Sequence, residues 1–179
     1  MFKLRIVANS TPLIYLAKIG RLDLLWSVFN YIVIPNAVYT EVVEVGLEKG
    51  YHDAELVKRA VDKQLIRVEE ADNEIMEKLQ RLYGVELDQG EVEVLALALT
   101  KNIEHVLVDD KPARTIAYIL GLRPHGTLYV LFRALRLGII DLEEALSLLD
   151  RLVEAGLRVS IEVYVRARRR LEEISSKKS

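Results

Sequence analysis

Three times along the chain, a short β-branched strand runs directly into a helix that opens on polar residues or a proline. Lys3 to Ala8 leads into Asn9-Ser10-Thr11-Pro12, and Tyr31 to Ile34 is closed by Pro35 before the helical stretch Ala37 to Val43. His105 to Val108 ends at Asp109-Asp110 before Pro112 to Leu120. Proline suits a first helical turn because the N–H it lacks would be unpaired there anyway. Strands separated by helices are joined by crossovers, the connection that parallel neighbours require. The pattern therefore predicts an α/β fold of three layers, a mostly parallel central sheet flanked by helices.

The remaining segments fill in that frame. Leu22 to Phe29 reads as a short helix, and Asp53 to Lys63 and Asp72 to Tyr83 as charged outer helices flanking a candidate strand, Leu65 to Val68. Glu91 to Thr100 has almost no polar face and should be buried. Leu122 to His125 is a short extended segment. Helices follow over Thr127 to Leu137, Asp141 to Glu154 and Ser160 to Ile174, the first two ended by Gly138 and Gly156. At 179 residues and 51% apolar composition the chain fits one core. Residues 1–179 are read as one domain, with the basic C-terminal helix and tail from about 160 as an appendage. From Val165 to Ser179 that end carries six basic residues against two acidic ones, a pattern suited to a solvated helix or to phosphate contact. Leu13, Leu16, Leu22, Leu25 and Trp26 exceed what a short outer helix pair needs for one core face, which predicts a homodimer that covers them.

Composition excludes several classes. The apolar runs fall short of the roughly 18 residues that span a bilayer, and the start lacks a signal-peptide core, so a cytoplasmic protein with no membrane partner is expected. There is no cysteine, which removes disulfides, thiolate zinc sites and cysteine nucleophiles together. His52, His105 and His125 lack a zinc spacing. Phosphate-binding glycine loops, a dinucleotide turn, a serine-nucleophile elbow and a His-Glu-x-x-His helix are all missing.

What remains is a set of oxygen donors. In an open parallel sheet, residues beyond the carboxyl ends of the strands converge on one crevice. Asn9 ends the first strand, and Asp109 and Asp110 end the fourth. Glu41, three and four residues after Val38 and Ala37, is read onto the inward side of its helix, where an unpaired carboxylate needs a cation. Asp88-Gln89-Gly90-Glu91 opens the buried helix with the spacing of a capping box, which stabilises a helix start without any metal. Glu93 projects some 200° from the Glu91 side at roughly 3.6 residues per turn and is the weaker ligand. Hard divalent cations take such oxygen ligands, activate water and neutralise phosphoryl charge. Ser10 and Thr11 suit helix capping ahead of a hydrogen bond to phosphate or a metal-bound water, and Lys111 and Arg114 suit either phosphate or the neighbouring acids.

Four ordered motifs carry a resemblance: NSTPLIYLAKIGRLDLL (9–25), IPNAVYTE (34–41), LDQGEVEVLALA (87–98) and LVDDKPAR (107–114), with Gly126-Thr127-Leu128 after them. Together they resemble a prokaryotic branch of the PIN-domain family, the VapC-like nucleases, over about three quarters of the chain. The resemblance implies a PIN-like fold and a Mg²⁺- or Mn²⁺-dependent endoribonuclease acting on RNA, as in the toxins of toxin–antitoxin pairs, often homodimeric and held by an antitoxin protein. By position, Glu41 matches the family's second acid, Glu91 its third and Asp110 its fourth, with Asp109 beside it as a further metal contact. Asn9 stands where the family usually has its first metal-binding aspartate, and it offers an amide oxygen without charge. Two other readings remain open: a catalytically weakened scaffold that binds RNA or a protein partner, and a phosphatase with an aspartate nucleophile, whose Asp-x-Asp opening is missing.

Overall fold

The structure, a computed structural model, describes residues 4–177. Lys3, the expected start of the first strand, and the Lys178-Ser179 end of the tail lie outside them. Five strands form one sheet: β1 (Leu4–Ala8), β2 (Phe29–Ile34), β3 (Arg67–Val68), β4 (His105–Leu107) and β5 (Arg123–His125). Every pairing is parallel, in the order β3-β2-β1-β4-β5. Phe29 belongs to β2 rather than to the preceding helix, and the strand expected over 65–68 contracts to β3. The extended segment near 122–125 is an edge strand, β5, where the missing N–H of Pro124 is tolerated.

The helices occur where the strands need crossovers. α1 (Ser10–Lys18) and α2 (Asp23–Val28) connect β1 to β2. α3 (Asn36–Tyr39) continues through a π-helical segment, Thr40–Val45, into α4 (Gly46–Glu48), and α5 (His52–Asp62) leads to β3. α6 (Asn73–Tyr83) and α7 (Gln89–Thr100) lead to β4, and α8 (Lys111–Ile119) to β5. α9 (Leu128–Leu137), α10 (Leu142–Glu154) and α11 (Ile161–Ser176) follow. The side chains of Asp72, Asp141 and Ser160, read as helix starts, accept N-cap bonds from Ile75, Glu144 and Val163.

α7 is the buried helix its composition predicts. Val92 through Ala98 are core residues apart from Glu93, and the helix lies against β1 and β4. Each leucine buried there contributes roughly 1.5–3 kcal/mol relative to exposure. Leu13, Leu16, Leu22 and Leu25 are also core residues, and half-buried Trp26 packs on them. These side chains fill the chain's own core, so the apolar surplus inferred from sequence gives no reason for a second copy. α11 buries Ala167, Leu171 and Ile174 and packs on α9 and α10, which seats the basic helix on the body of the fold. Among the described residues no helix is long and apolar enough to cross a membrane.

One consequence of the strand order positions the site. From β1 the chain builds outward to β2 and β3, then crosses back to β4 and β5 on the other side. The order of strand addition therefore reverses between β1 and β4, and a doubly wound sheet opens its crevice at such a reversal.

Candidate active site

Asn9 follows β1 and the pair Asp109-Asp110 follows β4, on either side of that crevice. The Asn9 N–H donates to the Leu107 carbonyl at 2.9 Å, so strand pairing itself carries an amide and two carboxylates to one rim. Asn9 has an extended backbone, φ −85° and ψ 176°, and its side chain makes no capping bond to α1. Asp110 likewise precedes α8 without a side-chain cap bond. Both side chains are thus left out of the local helix starts.

α7 begins at the same rim with the capping box legible in the sequence. Asp88 Oδ1 accepts from the Glu91 N–H at 2.8 Å, and Glu91 Oε2 accepts from the Asp88 N–H at 3.0 Å. A β-carbon on Gly90 would lie 3.4 Å from Asp88 Oδ1 and 3.7 Å from Asn9 Oδ1, so that amide oxygen and the capping acid border one spot. Glu91 is only 6% exposed. Burial pushes its carboxyl up to about 7, the charges of Asp88, Asp110 and Glu41 add to the rise, and the Asp88 N–H opposes it. Glu93 faces elsewhere: its carboxylate accepts from the Ala37 N–H at 3.0 Å and from the Gln89 amide at 3.1 Å, tying α7 to the start of α3.

Glu41 reaches the site differently from its sequence expectation. Val38, Val42 and Val43 take the buried face of this helical run, and Glu41 is exposed at the rim rather than turned inward. The cause is the π-helical segment Thr40–Val45, whose wider turn shifts the register that a 3.6-residue projection assumes. The buried Ser10 hydroxyl donates to Glu41 Oε2 in a short bond. Ser10 therefore holds the α3 run to α1 instead of capping a helix.

Asp109 is separated from the other acids by its partners. Burial raises its carboxyl, while the N–H of Thr127, its hydroxyl and the charge of Arg114 oppose that rise. The two Thr127 bonds measure 2.8 and 2.7 Å and engage one oxygen each. Thr127 is fully buried. Gly126 permits this approach, because a β-carbon there would sit 2.9 Å from Asp109 Oδ1. Gly126→Ala should accordingly displace Asp109 from Thr127 and disturb the neighbouring Asp110, lowering stability by about 1–3 kcal/mol. Chemical denaturation of the variant checks this, and an unchanged midpoint would show that the contact yields freely. Neither hydroxyl partner is legible in the sequence, since Ser10 and Thr127 meet their acids only across 31 and 18 residues of chain.

Asn9, Glu41, Glu91 and Asp110 thus surround one rim, and Asp109 braces it from behind. Among the described residues no three His, Cys, Asp or Glu side chains form a group set to hold a metal ion. The donor chemistry nonetheless fits a hard cation, since every side chain at the rim offers oxygen. Burial is the main reason the Glu91 carboxyl is raised, and the charges of Asp88, Asp110 and Glu41 add to it, a repulsion that a cation would offset.

A family model described as a PIN domain matches residues 5–173. The chain belongs to the PIN-domain family. No curated protein matches it significantly. PIN domains are a nuclease-type fold that typically uses divalent metal ions. In this PIN domain the rim at the β1–β4 reversal holds the acids that the sequence motifs single out, while Asn9 supplies an amide among them.

Proposed function

We propose that this PIN domain is a metal-dependent endoribonuclease, with Asn9, Glu41, Glu91 and Asp110 holding Mg²⁺ or Mn²⁺ against an RNA phosphodiester. The observation that supports this most is Glu91, a buried carboxylate at a sheet-reversal crevice, raised to about 7 by burial and then by Asp88, Asp110 and Glu41. A buried carboxylate beside like charges costs stability unless a counter-charge joins it, and perturbed acids gather at functional sites. A bound divalent cation would lower the pKa of a water and neutralise charge on the phosphoryl oxygens. The chain's own part is positional. Ser10 fixes Glu41, the Asp88 N–H fixes one oxygen of Glu91, and Thr127 with Gly126 fixes the β4 terminus that carries Asp110. Asp109, already bonded through both oxygens, serves in this reading as a brace rather than a direct ligand.

Incubation with mixed single-stranded RNA in Mg²⁺, Mn²⁺ or EDTA tests the reading. Shortened RNA is expected with either metal and none with EDTA; metal-independent cleavage, or intact RNA in all three, would contradict it. A second reading, a scaffold that binds RNA without turnover, is favoured by the uncharged Asn9. Under it, RNA binds and remains intact with either metal. A toxin role adds a requirement for a dedicated protein inhibitor, for which co-purification from the native host is the direct test.

A further inference from the structure

At Asp109, the chain neighbour of the rim's Asp110, opens a groove of about 830 Å³, within the roughly 300–1,000 Å³ typical of ligand clefts. It begins at Asp109, Arg114 and His125, where β4 and β5 end, and its far wall is α11 with Arg158 just before it. Arg166, Arg169 and Arg170 line it from α11, spaced so that they share one helix side. That side borders the buried seam of Ala167, Leu171 and Ile174, so the seating of the helix is what aims the arginines. Arg168 lies outside the lining and is directed to Asp150, at 3.7 Å. Five arginines therefore face two acids, Asp109 and Glu173. Glu173 is engaged in an exposed pair with Arg170 at 3.2 Å, the kind of pair worth little in water.

The groove is also aromatic. His125 stacks between His105, at 5.1 Å between ring centroids, and Tyr129, at 3.9 Å. Tyr118, at the lip, is 62% exposed. Arginine rows beside flat rings are the combination that holds unpaired nucleotides, phosphates on the cations and bases on the rings. An acidic peptide would use the arginines and leave the rings idle.

We propose that this groove is a binding site for single-stranded RNA, with Arg158, Arg166, Arg169 and Arg170 holding backbone phosphates and Tyr118 and Tyr129 receiving bases. The strand runs from the groove to the carboxylate rim through Asp109 and Arg114. The choice of RNA as the polymer rests on the nuclease reading above; the groove and its charge do not.

The test separates binding from cleavage by measuring fluorescence anisotropy of a labelled single-stranded RNA of about 12 nucleotides, in EDTA and over a range of salt. The triple variant Arg166→Ala, Arg169→Ala, Arg170→Ala should bind at least roughly tenfold more weakly than wild type. Its plot of log affinity against log salt should be shallower by about 2, because each phosphate neutralised on a single strand adds about 0.7 to that slope. Tyr118→Ala should weaken binding severalfold and leave the slope unchanged. Asp110→Asn should lose cleavage in Mg²⁺ while binding RNA in EDTA at least as tightly as wild type, since it removes a carboxylate from the path of a polyanion. Arg169→Glu, one change at an exposed position, repeats the comparison in case the triple variant melts early. Wild-type affinity and slope in both arginine variants would overturn the proposal, as would no RNA binding by the wild type. Polyglutamate that displaces RNA through these arginines, with Tyr118→Ala silent, would also overturn it in favour of an acidic protein partner. A groove that binds RNA as described in a protein that never cleaves it would defeat the nuclease reading alone.

Discussion

Glu91→Gln is expected to reduce metal-dependent RNA cleavage by on the order of 10²- to 10³-fold, the usual loss when one charge-stabilising group is removed from a site. The same change should make the metal-free protein more stable at pH 8. Burial first, and then Asp88, Asp110 and Glu41, raise the folded-state carboxyl from 4.5 to about 7. Between those values the folded protein keeps a proton that the unfolded chain has released, so Glu91 lowers stability progressively as pH rises through the window, and fully above it. Glutamine removes the charge yet still accepts the Asp88 N–H, because Glu and Gln serve equally at that capping position. The gain at pH 8 should be on the order of 1–3 kcal/mol, falling to nearly nothing by pH 4. Urea denaturation at the two pH values in EDTA measures it, and equal stability of variant and wild type at pH 8 would show that Glu91 carries no electrostatic strain.

Asn9→Asp should act in the opposite direction on the same site. It adds one negative charge where Asn9 Oδ1 and Asp88 Oδ1 border a common spot. Two unit charges about 4 Å apart at an effective dielectric near 20 interact by ~4 kcal/mol. A net gain in metal affinity of about tenfold, ~1.4 kcal/mol, asks for only part of that. In the metal-free state the added charge repels Asp88 and Glu91, so stability above pH 7 should fall and metal should raise the melting temperature of Asn9→Asp more than that of wild type. Cleavage at limiting Mg²⁺ should be at least equal to wild type. If metal-dependent melting is the same in both proteins, Asn9 takes no part in the site.

Most of the frame was legible because its signals are local. β-branched runs closed by Pro35 or ended at Asp109 mark strands, the unbroken apolar stretch after Glu91 marks α7, and the Asp88–Glu91 spacing marks its start. β5 was legible only as an extended segment, since three residues including Pro124 carry too little pattern to announce a ladder. Glu41 was misplaced because helical periodicity presumes a constant turn, and the π-helical segment through it breaks that regularity. The apolar-surplus argument for a dimer, as distinct from the family resemblance, failed for a related reason. Helical spacing shows that Leu13, Leu16, Leu22 and Leu25 need cover, but not that the chain's own core supplies it. Contacts that are distant in sequence left no trace at all: the hydroxyls that hold Glu41 and Asp109 lie on other elements. Asp109 and Asp110 look interchangeable as letters, and the fold alone gives one to Thr127 and the other to the rim.

Whether Glu41, Glu91 and Asp110 act together as one cation site at the β1–β4 reversal is tested most directly by isothermal titration of the metal-free protein with Mn²⁺. Wild type, Asp110→Asn and Glu91→Gln are run in parallel at pH 6 and pH 8. Wild type should show saturable binding that is tighter at pH 8, with protons released as Glu91 ionises, since its carboxyl titrates near 7. Asp110→Asn should bind much more weakly, and Glu91→Gln should lose both the affinity and its pH dependence. Equal Mn²⁺ affinity in all three proteins, unchanged between the two pH values, would contradict a shared cation site.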